Sequence, residues 1–398
     1  MSDYTYLIIG GGMAADAAAR GIREIDADGR IGILSADMDP PYARPALSKK
    51  LWTDPDFSWP DQVDLHTADD TGADIRLQTV VTAIDRDAHV VATAGSDRFG
   101  YEKLLIATGG RPRSLPGLEP SDRVIAYRSA HDYRRVRELA AAHATIAVVG
   151  GGYIGSEMAS ALAQNNAQVT FITPTERVGA QMFPRDLAEA FHQHFVDAGV
   201  DVRAGRRVVD ASEGAEDVTL TLDDGTTVRA AAVVVGFGID PIDDLAAAAG
   251  LAVDDGVIVD DRLRTADPDI FAAGDIAHYP DMLLGERRVE HVDNAQHQGR
   301  QAGRNLAGAN EPYAYTPMYY SDVFDMGYEA VGRLDASLET VEDWADPTKQ
   351  GVVYYLDDGV VCGVLLWNVW DKTDNARQVI AEANALTADD LPGTIPFD

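Results

Sequence analysis

YTYLIIGGGMAADAAARG, residues 4–21, and TIAVVGGGYIGSEMASALA, residues 145–163, decide the fold. Each stretch is an apolar run of strand length, then a glycine-rich turn, then an alanine-rich run of helical length. Each turn follows G-x-G-x-x-G/A, with Gly10, Gly12 and Ala15 in the first and Gly150, Gly152 and Gly155 in the second. The first glycine makes the tight turn. The second lets the backbone approach a pyrophosphate, and the small third residue allows close packing of helix on strand. Phosphates then lie on the free N–H groups and positive end of the helix. A single turn of this kind also caps ordinary βα units, but two in the required strand–turn–helix context read as a two-nucleotide protein.

A chain of 398 residues exceeds one ordinary core and implies two or three domains. Its 33 Lys+Arg against 65 Asp+Glu leave a net charge of −32, which excludes nucleic acid as an expected partner. Acidic runs at Asp254-Asp255, Asp260-Asp261 and Asp357-Asp358 read as solvated surface. Excess Asp with few Lys resembles the style of a salt-in halophile, since in molar salt the Debye length is about 3 Å and self-repulsion is screened. The one cysteine, Cys362, lies in VVCGVLLW and reads as a buried core thiol. It can form neither an intrachain disulfide nor a thiolate zinc site. His192 and His194 stand two apart in a helical segment and do not share a face, so no metal is expected. No apolar run reaches spanning length and no basic, apolar leader opens the chain. A cytoplasmic protein with no membrane span is expected.

Outward from the first turn, RIGILSAD (30–37) reads as the second strand of a dinucleotide fold. Asp37 approximates the acidic residue that holds a ribose there. PPYARPALSKKLW (40–52) is a proline-broken loop entering a short helix. Leu104 to Thr108 forms another apolar strand closed by Gly109-Gly110, and the second nucleotide unit spans about 123–238. DIFAAGDIAH (269–278) is a further strand and turn. The C-terminal texture differs: a hairpin turning at Asp358-Gly359, then a helix from about Thr373. Trp367 and Trp370 read as core. The expected fold class is α/β, with two Rossmann-like dinucleotide-binding domains plus an α+β C-terminal domain carrying an antiparallel sheet.

Four signals stand in a fixed order: GGGMAA at 10–15, LLIATGG at 104–110, GGGYIGSE at 150–157 and IFAAGDIA at 270–277. This order resembles the two-dinucleotide flavoprotein reductases of the pyridine nucleotide–disulfide oxidoreductase superfamily. The resemblance implies that the first turn binds FAD and the second NAD(P)H. It assigns 1–118 and 240–315 to an FAD-binding domain, 119–239 to an NAD(P)H-binding domain and 316–398 to a C-terminal domain. The disulfide, peroxidase and oxidase branches need one or two thiols near the flavin, and this chain has Ser48-Lys49 instead. PYARPALSKKLW is similar to the loop of ferredoxin reductases and of apoptosis-inducing factors. RRVEHVDNAQHQGRQAGRNLAG, MYYSDVFDMGYEAVGRLDASLETV and VVCGVLLWNVWDKTDNARQ resemble the apoptosis-inducing-factor branch more closely.

On that resemblance Gly10, Gly12, Ala15, Thr108, Gly109 and Asp275 contact FAD. Arg44 faces its pyrophosphate, Lys49 lies near the isoalloxazine, and Arg128 is a flavin-side arginine. Gly150, Gly152 and Gly155 contact NAD, Gly238 lines its cleft, and Glu290 and His291 border nicotinamide and flavin. Glu329 and Asn368 either touch NAD or are surface and hairpin-end residues. The implied cofactor-binding set also takes in Met13, Ala14, Val81, Ala107, Tyr153, Ile154 and Val292. Three departures stand out. The family's ribose carboxylate falls on Ala36, with Asp37 one place later. Its flavin-side tryptophan falls on Tyr320. After the second unit's strand, Glu176 favours the 2′-hydroxyl of NAD while Arg177 favours the 2′-phosphate of NADP.

The expectation is therefore an FAD-dependent oxidoreductase using NADH, with NADPH left open. Hydride passes from nicotinamide C4 to flavin N5, and electrons then reach an external acceptor, whether ferredoxin, rubredoxin, quinone, dye or oxygen. Lys49 and Glu157 form an ion pair beside N5, the lysine offsetting negative charge. The competing expectation is an NADH-responsive redox sensor or assembly factor with little turnover. Monomer and homodimer stay open.

Overall fold

The computed structural model describes residues 3–397. They fold as two compact units. The first takes in the chain up to Pro45, Phe57–Arg111 and Asp240–Pro317, and the second Ala46–Asp56, Pro112–Ile239 and the chain from Met318 on.

At the centre of the first unit the strand Tyr4–Ile9 lies between Ile31–Leu34 and Arg98–Ile106, parallel to both. Asp74–Arg76 extends the sheet on one side, and Ile270–Ala272 pairs with the far end of Arg98–Ile106. The start of that long strand turns antiparallel to Val90–Thr93, which pairs with Val81–Asp85. Strands covered on both faces read as unbroken apolar runs, and Leu7, Ile8, Ile33, Leu104 and Leu105 are fully buried.

The alanine content of the helix Met13–Ile25 has a packing cause: it crosses the helix Val292–Leu306 at close range. Cβ atoms added at Gly299 and Gly303 would overlap the carbonyl oxygens of Ala14 and Ala18, and one at Gly21 that of Arg300. Only small side chains on both helices permit that approach.

The second unit holds a five-stranded parallel sheet in the order Asp201–Ala204, Gln168–Thr173, Thr145–Val149, Ala232–Val235, Val124–Ala126. A small antiparallel sheet, Val208–Glu213, Val218–Leu222 and Thr227–Ala230, accompanies it. The C-terminal sheet is antiparallel, ordered Met318–Val323, Met326–Gly332, Val360–Trp367, Gln350–Asp357, Glu339–Asp346. Its hairpin turns at Asp358 and Gly359, both at positive φ (49° and 79°), and the helix Thr373–Ala381 follows. The fold is the expected one: α/β, two Rossmann-like modules and an α+β C-terminal part. Among the described residues no helix is long and apolar enough to cross a membrane.

Two core expectations need correction. Trp367 is buried and stacks on Tyr328 with centroids 5.6 Å apart, but Trp370 is 45% exposed. It lies beyond the strand end, with its indole Cη2 and Cζ2 against the bare backbone of Gly327. Cys362 is half-buried, near a register shift in its hairpin, with its thiol donating to the Tyr355 carbonyl at 3.5 Å.

Candidate functional site

The first glycine turn is built by exclusion. Gly10 has φ +117°, and a Cβ there would overlap the Ala107 carbonyl oxygen, so the strand can turn sharply against Ala107 only without a side chain. Above Gly12 the space is open: a Cβ would meet only Arg44, whose Nη2 lies 3.9 Å from that position. The helix starting at Met13 has no side-chain cap, so its first N–H groups are left for a ligand. By contrast the helix Ala130–Ala141 is closed by a Ser129–Asp132 capping box. Open space, uncapped donors and a guanidinium together fit the pyrophosphate of a dinucleotide. Arg44 is steadied over the Tyr42 ring at 5.5 Å.

Asp37 is committed to its own loop, accepting from the backbone N–H of Met38 (2.8 Å) and Asp39 (3.3 Å) and from the Tyr42 hydroxyl (3.1 Å). Ala36 beside it is exposed. Thr108 donates to the Ile242 carbonyl at 2.9 Å, and the Gly109 carbonyl accepts from the Ile242 N–H at 3.0 Å. Val81 is half-buried at a strand start, and Met13, Ala14 and Ala15 are buried in the helix.

Two residues that sequence reasoning missed hold the Gly274-Asp275 turn. Gln298, fully buried, accepts from the Gly274 N–H at 2.9 Å. Arg288, its side chain 8% exposed, donates to the Asp275 carbonyl at 3.0 Å and pairs with Asp255 (3.0 Å) and Glu290 (2.8 Å). His291 caps the helix that begins at Val292, its Nδ1 accepting from the Asp293 N–H. One signal for Gln298 was legible: Asn294 and Gln298 stand four apart on the helix face that the glycines mark as buried.

In the second unit the design repeats. Gly150 has φ +114° and stands against the Gly236 carbonyl, Gly155 packs on the Gly150 carbonyl, and a Cβ at Gly152 would meet nothing within 4 Å. That helix is also uncapped, and Tyr153 and Ile154 stand 37% and 36% exposed at its start, apolar surface suited to a nucleotide. Gly238, at φ +80°, is exposed and accepts from the Arg113 N–H. At the end of the strand Gln168–Thr173, Glu176 is 90% exposed, and Arg177 pairs with Glu189. The hydroxyls of Thr173 and Thr175 bond each other at 3.0 Å.

The same unit buries an ion pair. Glu157, 3% exposed on the helix Tyr153–Gln164, receives the Lys49 ammonium on Oε1 and the Ser48 hydroxyl on Oε2 at 2.5 Å. Ser321, also unforeseen, donates to Oε1 at 2.7 Å. The Lys49 Nζ lies 5.1 Å from the centroid of the Tyr320 ring. Burial, followed by the charges of Asp322 and Glu157, pushes the Tyr320 phenol up to about 12, so it stays neutral at physiological pH. Arg128 is half-buried, its backbone N–H on Asp132.

Asn368 stands just past the strand Val360–Trp367, its Oδ1 accepting from the Gly327 N–H (2.9 Å) and its Nδ2 donating to the Lys349 carbonyl (2.8 Å). Glu329 keeps one sealed carboxyl oxygen without a partner, and burial raises its pKa.

Two uncapped glycine turns and a buried Lys–Glu pair where other branches carry thiols define a two-nucleotide flavoprotein reductase without a redox disulfide. The model of the pyridine nucleotide-disulphide oxidoreductase family matches residues 4–299, and that of the C-terminal part of apoptosis-inducing factor, mitochondrion-associated, matches 302–350 and 346–382. The chain belongs to the pyridine nucleotide-disulphide oxidoreductase family. It is 35% identical to the ferredoxin–NAD(+) reductase component of the anthranilate 1,2-dioxygenase system of Burkholderia cepacia, over 96% of this chain and 95% of that one. It is 33% identical to apoptosis-inducing factor 1, mitochondrial, of Dictyostelium discoideum, over 100% and 82%. The reductase in a covalent putidaredoxin reductase–putidaredoxin complex superposes with a TM-score of 0.86 at 28% identity, covering 96% and 94%. The protein is an FAD-dependent oxidoreductase that takes hydride from a reduced nicotinamide coenzyme and passes electrons to an external acceptor.

Proposed function

We propose that the coenzyme is NADH and that the acceptor is a ferredoxin-type iron–sulfur protein. The observation that carries this is the placement of the chain's one cysteine. Cys362 lies on the strand Val360–Trp367, while Ser48 and Lys49 hold the place of the thiol branches. With no dithiol relay the acceptor must take electrons from the flavin itself, and the names of the Burkholderia cepacia relative and of the putidaredoxin complex support an iron–sulfur carrier. The division into FAD-binding, NAD(P)H-binding and C-terminal domains, and a cytoplasmic address where NADH is supplied, belong to the same proposal.

Bound FAD supplies a two-electron acceptor for the nicotinamide hydride and a one-electron donor for the carrier. The uncapped N–H groups after Gly12 and Gly152 bind and orient the two pyrophosphates, Arg44 adding charge to the first. Lys49 is the proposed flavin-side cation, fixed in place by Glu157. Tyr320, neutral and largely apolar, shields that ammonium from water.

Stopped-flow mixing tests the reading. Protein reduced with NADH without oxygen is mixed with a [2Fe–2S] ferredoxin, and reoxidation within milliseconds to seconds is expected. The rate should rise from 0.1 M to 1 M KCl, because a −32 reductase repels an acidic carrier until salt screens it. A long-wavelength charge-transfer band that outlasts ferredoxin addition by minutes would point to the sensor reading instead.

A further inference from the structure

We propose that Ser321, with Ser48, is a positioning residue that fixes the Lys49 ammonium through Glu157. This rests on the reading of Lys49 as the flavin-side cation. A carboxylate stripped of water, as Glu157 is at 3% exposure, is costly unless donors fill its acceptor sites. Here donors reach both oxygens from separate parts of the chain. Ser48 takes Oε2, while Lys49 and Ser321 share Oε1, and the two serines are themselves only 5% and 2% exposed.

The consequence is geometric. Donors on both oxygens stop the carboxylate from rotating, so the ammonium that follows it has one place to be. Lys49 carries a flexible four-carbon stem, and a lysine held at one point alone keeps much of its rotamer freedom. Ser321 can act this way because its strand is pinned to the same helix twice. Besides Ser321 on Glu157, the Phe324 N–H donates to the Ser160 hydroxyl at 2.9 Å, three residues further along the helix. Tyr320, next to Ser321, closes the ammonium from another side at 5.1 Å.

The test is a cycle of S321A, K49M and the double variant, with S321T as the conservative rescue and S48A as a second probe should S321A not fold. Two quantities are read on FAD-loaded protein: the rate of flavin reduction by NADH and the midpoint potential of the bound flavin. S321A is expected to slow reduction about three- to ten-fold, the scale of one lost ordinary hydrogen bond because Ser48 and Lys49 still hold the carboxylate, with FAD content unchanged. It should also lower the potential in the same direction as K49M by a smaller step. S321T should restore both, and in the K49M background S321A should move neither. Wild-type behaviour of S321A, equal loss in S321T, or an undiminished effect of S321A in the K49M background would overturn the proposal. K49M leaving rate and potential unchanged would instead overturn the underlying reading of Lys49.

Discussion

Glu176 illustrates what a single residue contributes and what its neighbours take away. By type and place it favours the 2′-hydroxyl of NAD, yet it stands 90% exposed, so its field is weakened by water and salt. Glu176→Ala is expected to narrow the NADH over NADPH preference in kcat/KM only about two- to three-fold in 0.1 M KCl, and less in 1 M KCl. A native preference for NADPH would show that Arg177, though paired with Glu189, dominates. The glycines were legible because motif spacing marks them, and Lys49 and Glu157 were expected from the resemblance of their segments to the reductase family. Ser321 was not, because a serine in isolation has no address, and Gln298 had only its place on the buried helix face. Only the fold brings Ser321 to a carboxylate 164 positions away.

At the scale of elements, two glycines of the first unit separate packing from binding. Gly303 faces the Ala18 carbonyl across the helix pair, so Gly303→Ala overpacks that crossing and should cost about 1–3 kcal/mol in urea unfolding, with FAD retention falling alongside. Gly12 has an extended conformation that alanine tolerates (φ −94°, ψ −168°) and open space above it. Gly12→Ala should therefore leave apo stability within about 0.5 kcal/mol while weakening FAD binding at least ten-fold by titration. Equal loss of stability in both variants would contradict this division. Strand and helix order was readable from the period of apolar residues. The exposure of Trp370 was not, since it depends on where the strand stops and on the bare backbone of Gly327 beneath it.

Across the whole molecule, charge decides the conditions under which these parts work. A net −32 with few lysines disfavours the compact state in dilute buffer, because close carboxylates repel. Melting temperature and FAD retention should both rise from about 0.1 M to 1 M KCl, over which the Debye length falls from about 10 Å to about 3 Å. Potassium sulfate at matched ionic strength isolates the added effect of a kosmotropic anion on apolar burial. Identical melting in both KCl concentrations would show that the acidic surface serves something other than salt tolerance.

The sequence by itself determined the two nucleotide modules, their order and the absence of a redox disulfide. Glycine turns, strand periodicity and cysteine count are local properties that no packing can alter. Tertiary structure decided the rest: that Asp37 spends its carboxylate on its own loop, that Asn368 braces a hairpin, and that two serines lock the Lys49–Glu157 pair. Each of these depends on which donors reach a buried acceptor, and that is settled only when distant segments are packed together and water is excluded.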